Sequence, residues 1–338
     1  MCGAITLRHA TQQLFSPPTR FLYARSIATA NAIDWAHRPA RLGRSGLVSS
    51  RLGLGCAGWP RQVSHAQAVE VFRTAFEIGI RHIDVAEKYG TEEAVGRALK
   101  DAGAPRDMVL ATKVGRDEQH RFSADYARMS VERSLKLLQV DQLDIVHIHD
   151  CGAKHLEQVF GPGGMLAELL KLKEEGVFKS LGMATWSLTA LKAAITSGVF
   201  DQIQTFHAYT LLNQQAAQEV IPMAKARDLP ILNNGPYAGY ILMSGAVPDA
   251  RYQYGPAPAD IVEMAQRIEA VCARKGVSIA TAALAFSLQN PDVDVTVIGA
   301  SSPDKLRERA AAFNAPLTQA DFDEMLAAAG GMAPIHTD

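Results

Sequence analysis

The stretch "GLGCAGWP", residues 53–60, is the one on which the fold turns. An apolar strand that runs into glycines can open a doubly wound, nucleotide-binding sheet. That fingerprint needs a helix directly behind the glycines and an acid about 20 residues further on. Here Trp59 and Pro60 follow instead, and the next helical pattern begins at Ser64. The glycine signal is weak, so the choice of fold falls to the chain around it.

Outward from that stretch, short apolar runs alternate with helical ones. Strands are read at "RLGLGCAG" (51–58), "IRHIDVA" (80–86), "DMVLATKVG" (107–115), "LDIVHIHD" (143–150), "KSLGMAT" (179–185), "QIQTFHAY" (202–209), "LPILNNG" (229–235) and "VDVTVIGA" (293–300). Helical patterns fill the gaps, from "SHAQAVEVFRTAFEIG", capped by Ser64 and closed by Gly79, to "NQQAAQEVIPMAKARD" (213–228). Eight strand–helix units in series imply a parallel sheet with helical crossovers. Closing such a sheet takes roughly 250 residues, close to what residues 51–312 offer. The expected fold is α/β, a (β/α)8 TIM barrel forming a single domain over residues 41–330. "RLGRSGLVSS" (41–50) is expected as a hairpin plugging its lower end. Residues 1–40 carry Arg8, Arg20 and Arg25 but no acid before Asp34. They read as a leader outside the core fold, with the composition of an organellar import signal.

The composition narrows the function. Hydrophobic residues make up 48% and charged residues 20%, as in a soluble globular protein. A formal net charge of -1 argues against nucleic acid or an anionic membrane as partner. No apolar run reaches the ~18 residues of a membrane span. Cys2, Cys56, Cys151 and Cys272 have neither metal-ligand nor redox-pair spacing. A metal-free, cytoplasmic protein is expected, either a monomer or a homo-oligomer, acting on a small molecule.

In a barrel, chemistry gathers at the C-terminal ends of the strands. There the sequence places Asp84 with Tyr89 behind it, Lys113, then His147 and His149, then Thr185 and Trp186, His207 and Tyr209, and Asn233 and Asn234. Singly, each has a bland reading: a turn cap, a snorkelling lysine, a hydrogen-bonded core histidine. Together they do not, because a buried lysine and a buried aspartate are costly apart and reasonable as a pair. A free phenol has a pKa near ~10. A lysine cation beside it is expected to lower that value, with the acid holding the ammonium in place. A neutral imidazole can then orient a substrate oxygen. Such a site suits proton exchange at a carbonyl or alcohol oxygen while hydride moves at its carbon.

"DVAEKYG" (84–90), "ATKVG" (111–115) and "DIVHIHD" (144–150) resemble the three active-site segments of the aldo-keto reductases, and the likeness runs from about Arg51 through the eighth unit. The resemblance implies Tyr89 as proton donor or acceptor, Asp84 and Lys113 as the pair that tunes it, and His149 as the group that positions substrate, with His147 a deeper neighbour. It also implies a nicotinamide dinucleotide held without a Rossmann fold. By that likeness Tyr209 stacks on the nicotinamide, and Asn234 and Gly235 begin the pyrophosphate segment. Ser301, Ser302 and Lys305 bind the adenosine phosphate, where a loop opens a helix whose dipole favours anions. Lys305 favours NADP(H), with NAD(H) as the alternative. Asp84 lines this cofactor site too, and Arg309 stands at the adenine end where an asparagine is frequent. After the fifth strand "ATWS" (184–187) replaces the usual Ser-Asn pair.

"AYTLLNQ" (208–214) and "GYILMSG" (239–245) look most like the branch that oxidises fucose- and galactose-type sugars. The implied substrate pocket is lined by Trp59, His149, Asp150 and Trp186, with residues 236–258 as a lid. Two alternatives stand beside an aldose dehydrogenase: a pyridoxal-type dehydrogenase, and a nicotinamide-binding regulatory subunit with slow turnover.

Overall fold

The computed structural model describes residues 39–59 and 63–335, so the leader read over residues 1–40 lies almost wholly outside the described residues. The described chain opens with an antiparallel hairpin of β1 (Pro39–Arg41) and β2 (Val48–Ser50), in which Pro39 faces Ser50 and Arg41 faces Val48. Between these strands Leu42 is fully buried in a cluster with Val109, Ala111, Ile145, Leu232, Val295 and Val297. The hairpin is the expected plug, beginning at Pro39.

Above it eight parallel strands close into a barrel. They are β3 (Leu52–Gly55), β4 (His82–Asp84), β5 (Val109–Val114), β6 (Leu143–His149), β7 (Phe178–Thr185), β8 (Gln202–Phe206) and β9 (Ile231–Asn234). A small hairpin, β10 (Arg251–Tyr252) and β11 (Gly255–Pro256), stands apart. Then β12 (Val295–Gly299) pairs with both β9 and β3 to complete the ring. Each strand falls within an expected apolar run except β7, which begins one residue earlier, at Phe178. The glycines of the opening stretch turn out to serve packing. A Cβ on Gly53 would lie 3.0 Å from the His82 ring and 3.1 Å from a Val297 methyl, so the residue makes room inside the barrel.

Three helices matter for the site. α1 (His65–Glu77) begins at Ser64 with a full capping box to Gln67. α2 (Glu92–Ala102) and α3 (Ala124–Leu138, capped by Ser123) flank β5 in sequence. The helix expected over residues 213–228 is broken into Gln215–Glu219 and Ile221–Lys225, where Pro222 cannot donate a backbone bond. Helices Ala259–Arg274 and Ile279–Leu288 were not foreseen between β9 and β12. The second is buried on nearly every side, so it carries no amphipathic period to read. Among the described residues no single helix is long and apolar enough to cross a membrane.

Candidate active site

The barrel interior changes character from plug to mouth. Apolar side chains surround Leu42, and further up lie His82, His147 and Gln202, all fully buried. At the mouth the strand alternation that buries Val109 and Ala111 brings Lys113 inward as well. Its Nζ lies 2.5 Å from Asp84 Oδ1 and donates to the Val85 carbonyl at 2.8 Å. Burial alone would raise the Asp84 carboxyl. The Lys113 charge, with a hydrogen bond from Gln204 Nε2 at 2.9 Å, brings it below its ordinary value instead.

Tyr89 follows β4 on a short 3-10 turn, Glu87–Tyr89. Lys113 Nζ lies 5.0 Å from the centre of its ring, and the His149 ring meets it edge-on at 5.7 Å and 85°. Asp84, Tyr89, Lys113 and His149 are therefore brought together. One expectation is corrected here: Lys113 does not lower the phenol. Burial, then the charges of Asp84, Asp150 and Cys56, push Tyr89 well above its ordinary value. The reason is that the ammonium is already engaged by Asp84 and a carbonyl. At neutral pH Tyr89 is a phenol with a proton to give.

Burial also lowers His149 to about 4, so the imidazole is neutral; its Nδ1 is buried without a hydrogen-bond partner, and Nε2 lies 3.5 Å from Asp150 Oδ1. Two residues deeper, His147 is fully buried beside Gln202 and lowered to about 3, a structural neighbour as expected.

The turn that carries Tyr89 is latched from outside. Glu87 accepts hydrogen bonds from Tyr126 and Ser130 and pairs with Arg133, all three on α3. Next to it, Lys88 Nζ pairs with Asp150 Oδ2 at 2.6 Å. A cavity of about 630 Å³ opens beyond this pair, lined by Arg116, Asp117, His120 and Arg133 among others. It meets the reaction centre at Asp150 and does not include the barrel mouth.

The sequence model of the aldo/keto reductase family matches residues 51–329. The chain belongs to that family. It is 30% identical over 282 residues to an L-galactose dehydrogenase of Arabidopsis thaliana, covering 80% of this chain and 86% of the relative. It is 30% identical over 299 residues to a D-threo-aldose 1-dehydrogenase of a Pseudomonas species, covering 79% and 90%. Among solved structures, an aldo-keto reductase of Bacillus halodurans in its holo form superposes with a TM-score of 0.70 at 25% identity, covering 86% of this chain and 95% of that one.

Aldo/keto reductases use nicotinamide cofactors, and the residues of this chain fit one unevenly. Gln204 is buried at the floor of the mouth, donating to Asp84 and, at 2.8 Å, to Asn234 Oδ1, while its own Oε1 has no partner. A buried amide acceptor left without a partner beside Asp84 and Asn234 is the kind of group a carboxamide N–H would satisfy. Asn234 thus lies with Gln204 and Asp84 at the mouth. Gly235, in the left-handed region (φ 70°), packs so closely that a Cβ would sit 2.3 Å from the His207 ring. Ser301, Ser302 and Lys305 come together at the start of helix Pro303–Ala311. Ser302 caps that helix by accepting from the Lys305 amide, and Lys305 Nζ reaches Ser301 Oγ at 3.4 Å. Arg309 is no bare surface charge: its guanidinium lies 5.6 Å from the centre of the Tyr237 ring and contacts Met243, tying this helix to the 236–258 segment.

Two residues expected at the mouth are engaged by the helical layer. The Tyr209 ring stacks on Phe286 of helix Ile279–Leu288 at 4.8 Å, and Asn290 donates to its hydroxyl at 2.6 Å. Trp59 is likewise a packing residue, 5% exposed, tilted against Phe72 of α1 at 4.8 Å and donating to the Ala300 carbonyl. Asp150 and the half-buried Trp186 stay at the strand ends. At the end of β8, His207 stacks on Phe206 at 3.8 Å. Gln204, Phe206, Lys88 and Glu87 are the residues that sequence reasoning passed over. For Gln204 a signal existed, since glutamines at alternate positions of "QIQTF" mark a polar inner face.

Proposed function

We propose that this oxidoreductase interconverts the carbonyl and alcohol or lactone forms of a sugar-like substrate. It would use NADP(H) in preference to NAD(H), with Tyr89 exchanging the proton. The observation that carries the reading is the buried Lys113–Asp84 pair beneath the Tyr89 ring, with neutral His149 at the ring's edge. A bound nicotinamide supplies or accepts hydride at the substrate carbon. Tyr89 gives its proton to the substrate oxygen on reduction and recovers one on oxidation. His149 hydrogen-bonds the same oxygen and fixes its angle. Asp84 holds Lys113 in place, and the ion pair forms the floor against which the Tyr89 ring rests.

Gln204 and Asn234 are the groups that would hold the carboxamide end, and Ser301, Ser302 and Lys305 the adenosine phosphate. Lys305 is the cation that favours a 2′-phosphate. The sugar assignment is supported by the relatives' names and by a mouth that mixes aromatic and hydrogen-bonding groups. Cys56 and Cys272 are free buried thiols, which fits a reducing compartment such as the cytoplasm.

Tyr89→Phe is the test. Turnover of aldoses and aldehydes should be lost, while fluorescence titration shows NADPH bound with affinity close to that of the unaltered protein. Full turnover by the variant would refute the role of Tyr89. Tighter binding of NADH than of NADPH would refute the cofactor preference.

A further inference from the structure

We propose that Asp150 is a positioning residue for the reaction: its carboxylate fixes the proton of His149 on Nε2, the nitrogen that then donates to the substrate oxygen. The inference rests on the oxidoreductase reading for what His149 does and deepens it. Asp150, expected among the substrate contacts, acts instead through its neighbour.

β6 ends on His149, and the Asp150 amide still donates to the Ala184 carbonyl at 3.0 Å, adding one more rung to the ladder with β7. Neighbours on an extended strand point to opposite faces. Asp150 departs from that rule by turning into the left-handed region, at φ 55°. Aspartate tolerates this conformation better than most residues, but at a cost. The turn leaves its carboxylate beside the imidazole, with Oδ1 3.5 Å from His149 Nε2. The other oxygen, Oδ2, pairs with Lys88 Nζ at 2.6 Å, and Lys88 immediately precedes Tyr89. One carboxylate therefore joins the imidazole to the turn that carries the phenol. Its side chain is 16% exposed against 63% for Lys88, so the end that faces His149 is sheltered from solvent.

A neutral imidazole carries its proton on one nitrogen, and the surroundings choose which. His149 Nδ1 is buried without a hydrogen-bond partner, so either tautomer leaves that atom unsatisfied and a ligand can reach only Nε2. The choice falls to the carboxylate. With the proton on Nδ1, the Nε2 lone pair would face a negative charge; with the proton on Nε2, an N–H faces it. At 3.5 Å the contact is longer than a hydrogen bond. It biases the tautomer without capturing the proton, which stays available to an incoming oxygen. Lys88 holds the carboxylate at that distance by engaging Oδ2.

The experiment compares the full chain with Asp150→Ala and Asp150→Gly, the second because glycine takes the left-handed backbone without strain. Long-range proton–nitrogen spectra of protein labelled with 15N-histidine, recorded at neutral pH, read which nitrogen of His149 is protonated, and His149→Gln assigns the signals. Alongside, kcat/KM is measured for reduction of methylglyoxal with NADPH and oxidation of L-galactose with NADP at saturating nucleotide. The unaltered protein should show Nε2–H. In both variants the ratio of Nε2–H to Nδ1–H should fall roughly three- to tenfold, the reach of one contact to a charged group. With it kcat/KM should fall at least about twofold. An unchanged His149 signal in Asp150→Gly, or Nδ1–H in the unaltered protein, overturns the proposal, and so does a shifted signal with unchanged kcat/KM. A shifted signal in a protein that even unaltered turns over neither substrate sustains the coupling of Asp150 to His149 and overturns the oxidoreductase reading beneath it.

Discussion

Asp84 and Lys113 each take a full charge out of water, at side-chain exposures of 2% and 1%. Their pairing is what makes both tolerable, and that separates stability from catalysis. Lys113→Met should destabilise the protein by about 3–5 kcal/mol, because Asp84 is left buried without its counter-charge. Adding Asp84→Asn should return much of that stability, since a neutral amide needs no counter-charge, yet turnover should stay lost. Urea denaturation alongside an activity assay distinguishes these outcomes, and restored turnover in the double variant would deny Lys113 its place in the chemistry. Lys113, Asp84 and His149 were legible because their residue types are improbable in apolar strands, and Tyr89 because it follows directly in the turn behind β4. Trp59 and Tyr209 are ambiguous in sequence for the converse reason. An aromatic near a strand end fits either the mouth or the helical layer, and only Phe72 and Phe286 show which layer took them.

At the scale of elements, the site depends on a turn held by a helix that touches no reacting atom. Glu87 joins the 3-10 turn of Tyr89 to α3 through Tyr126, Ser130 and Arg133. Glu87→Ala should therefore lower kcat several-fold while nucleotide affinity stays near its original value, and Glu87→Gln should recover part of the loss by keeping hydrogen bonds to the hydroxyls. The cost in stability should be about 1–3 kcal/mol, read from the thermal midpoint. An unchanged kcat in Glu87→Ala would remove the latch from the account. None of this was visible in sequence: Glu87 and Ser130 are 43 residues apart. The strands were legible because each is a short apolar run between turn signals. Helices Ala259–Arg274 and Ile279–Leu288 were overlooked, the latter because full burial erases the contrast between faces.

For the molecule as a whole, three histidines sit uncharged along one barrel. Burial lowers His82 to about 4, His147 to about 3 and His149 to about 4. In the unfolded chain they titrate near ~6.5. Below that pH the unfolded state takes up protons that the folded state refuses. Their contribution to stability is thus complete above about pH 6.5 and is lost as pH falls towards 4 and then 3. Asp84, lowered as well, adds its loss at still more acid pH. Unfolding free energies from urea titrations between pH 7.5 and 4.5 should fall steadily, by several kcal/mol in all. A flat profile would mean that the histidines are not buried neutral. The sequence by itself determined the eight-strand alternation, the plug, and the four residue types that face one another at the mouth. Periodicity and burial cost act along the chain and can be read there. Only the tertiary structure decided which aromatics line the mouth, that Gln204 bridges Asp84 and Asn234, and that Tyr89 rests as a phenol. Those outcomes depend on distances between strands and on how one ammonium is shared, and no local pattern encodes either.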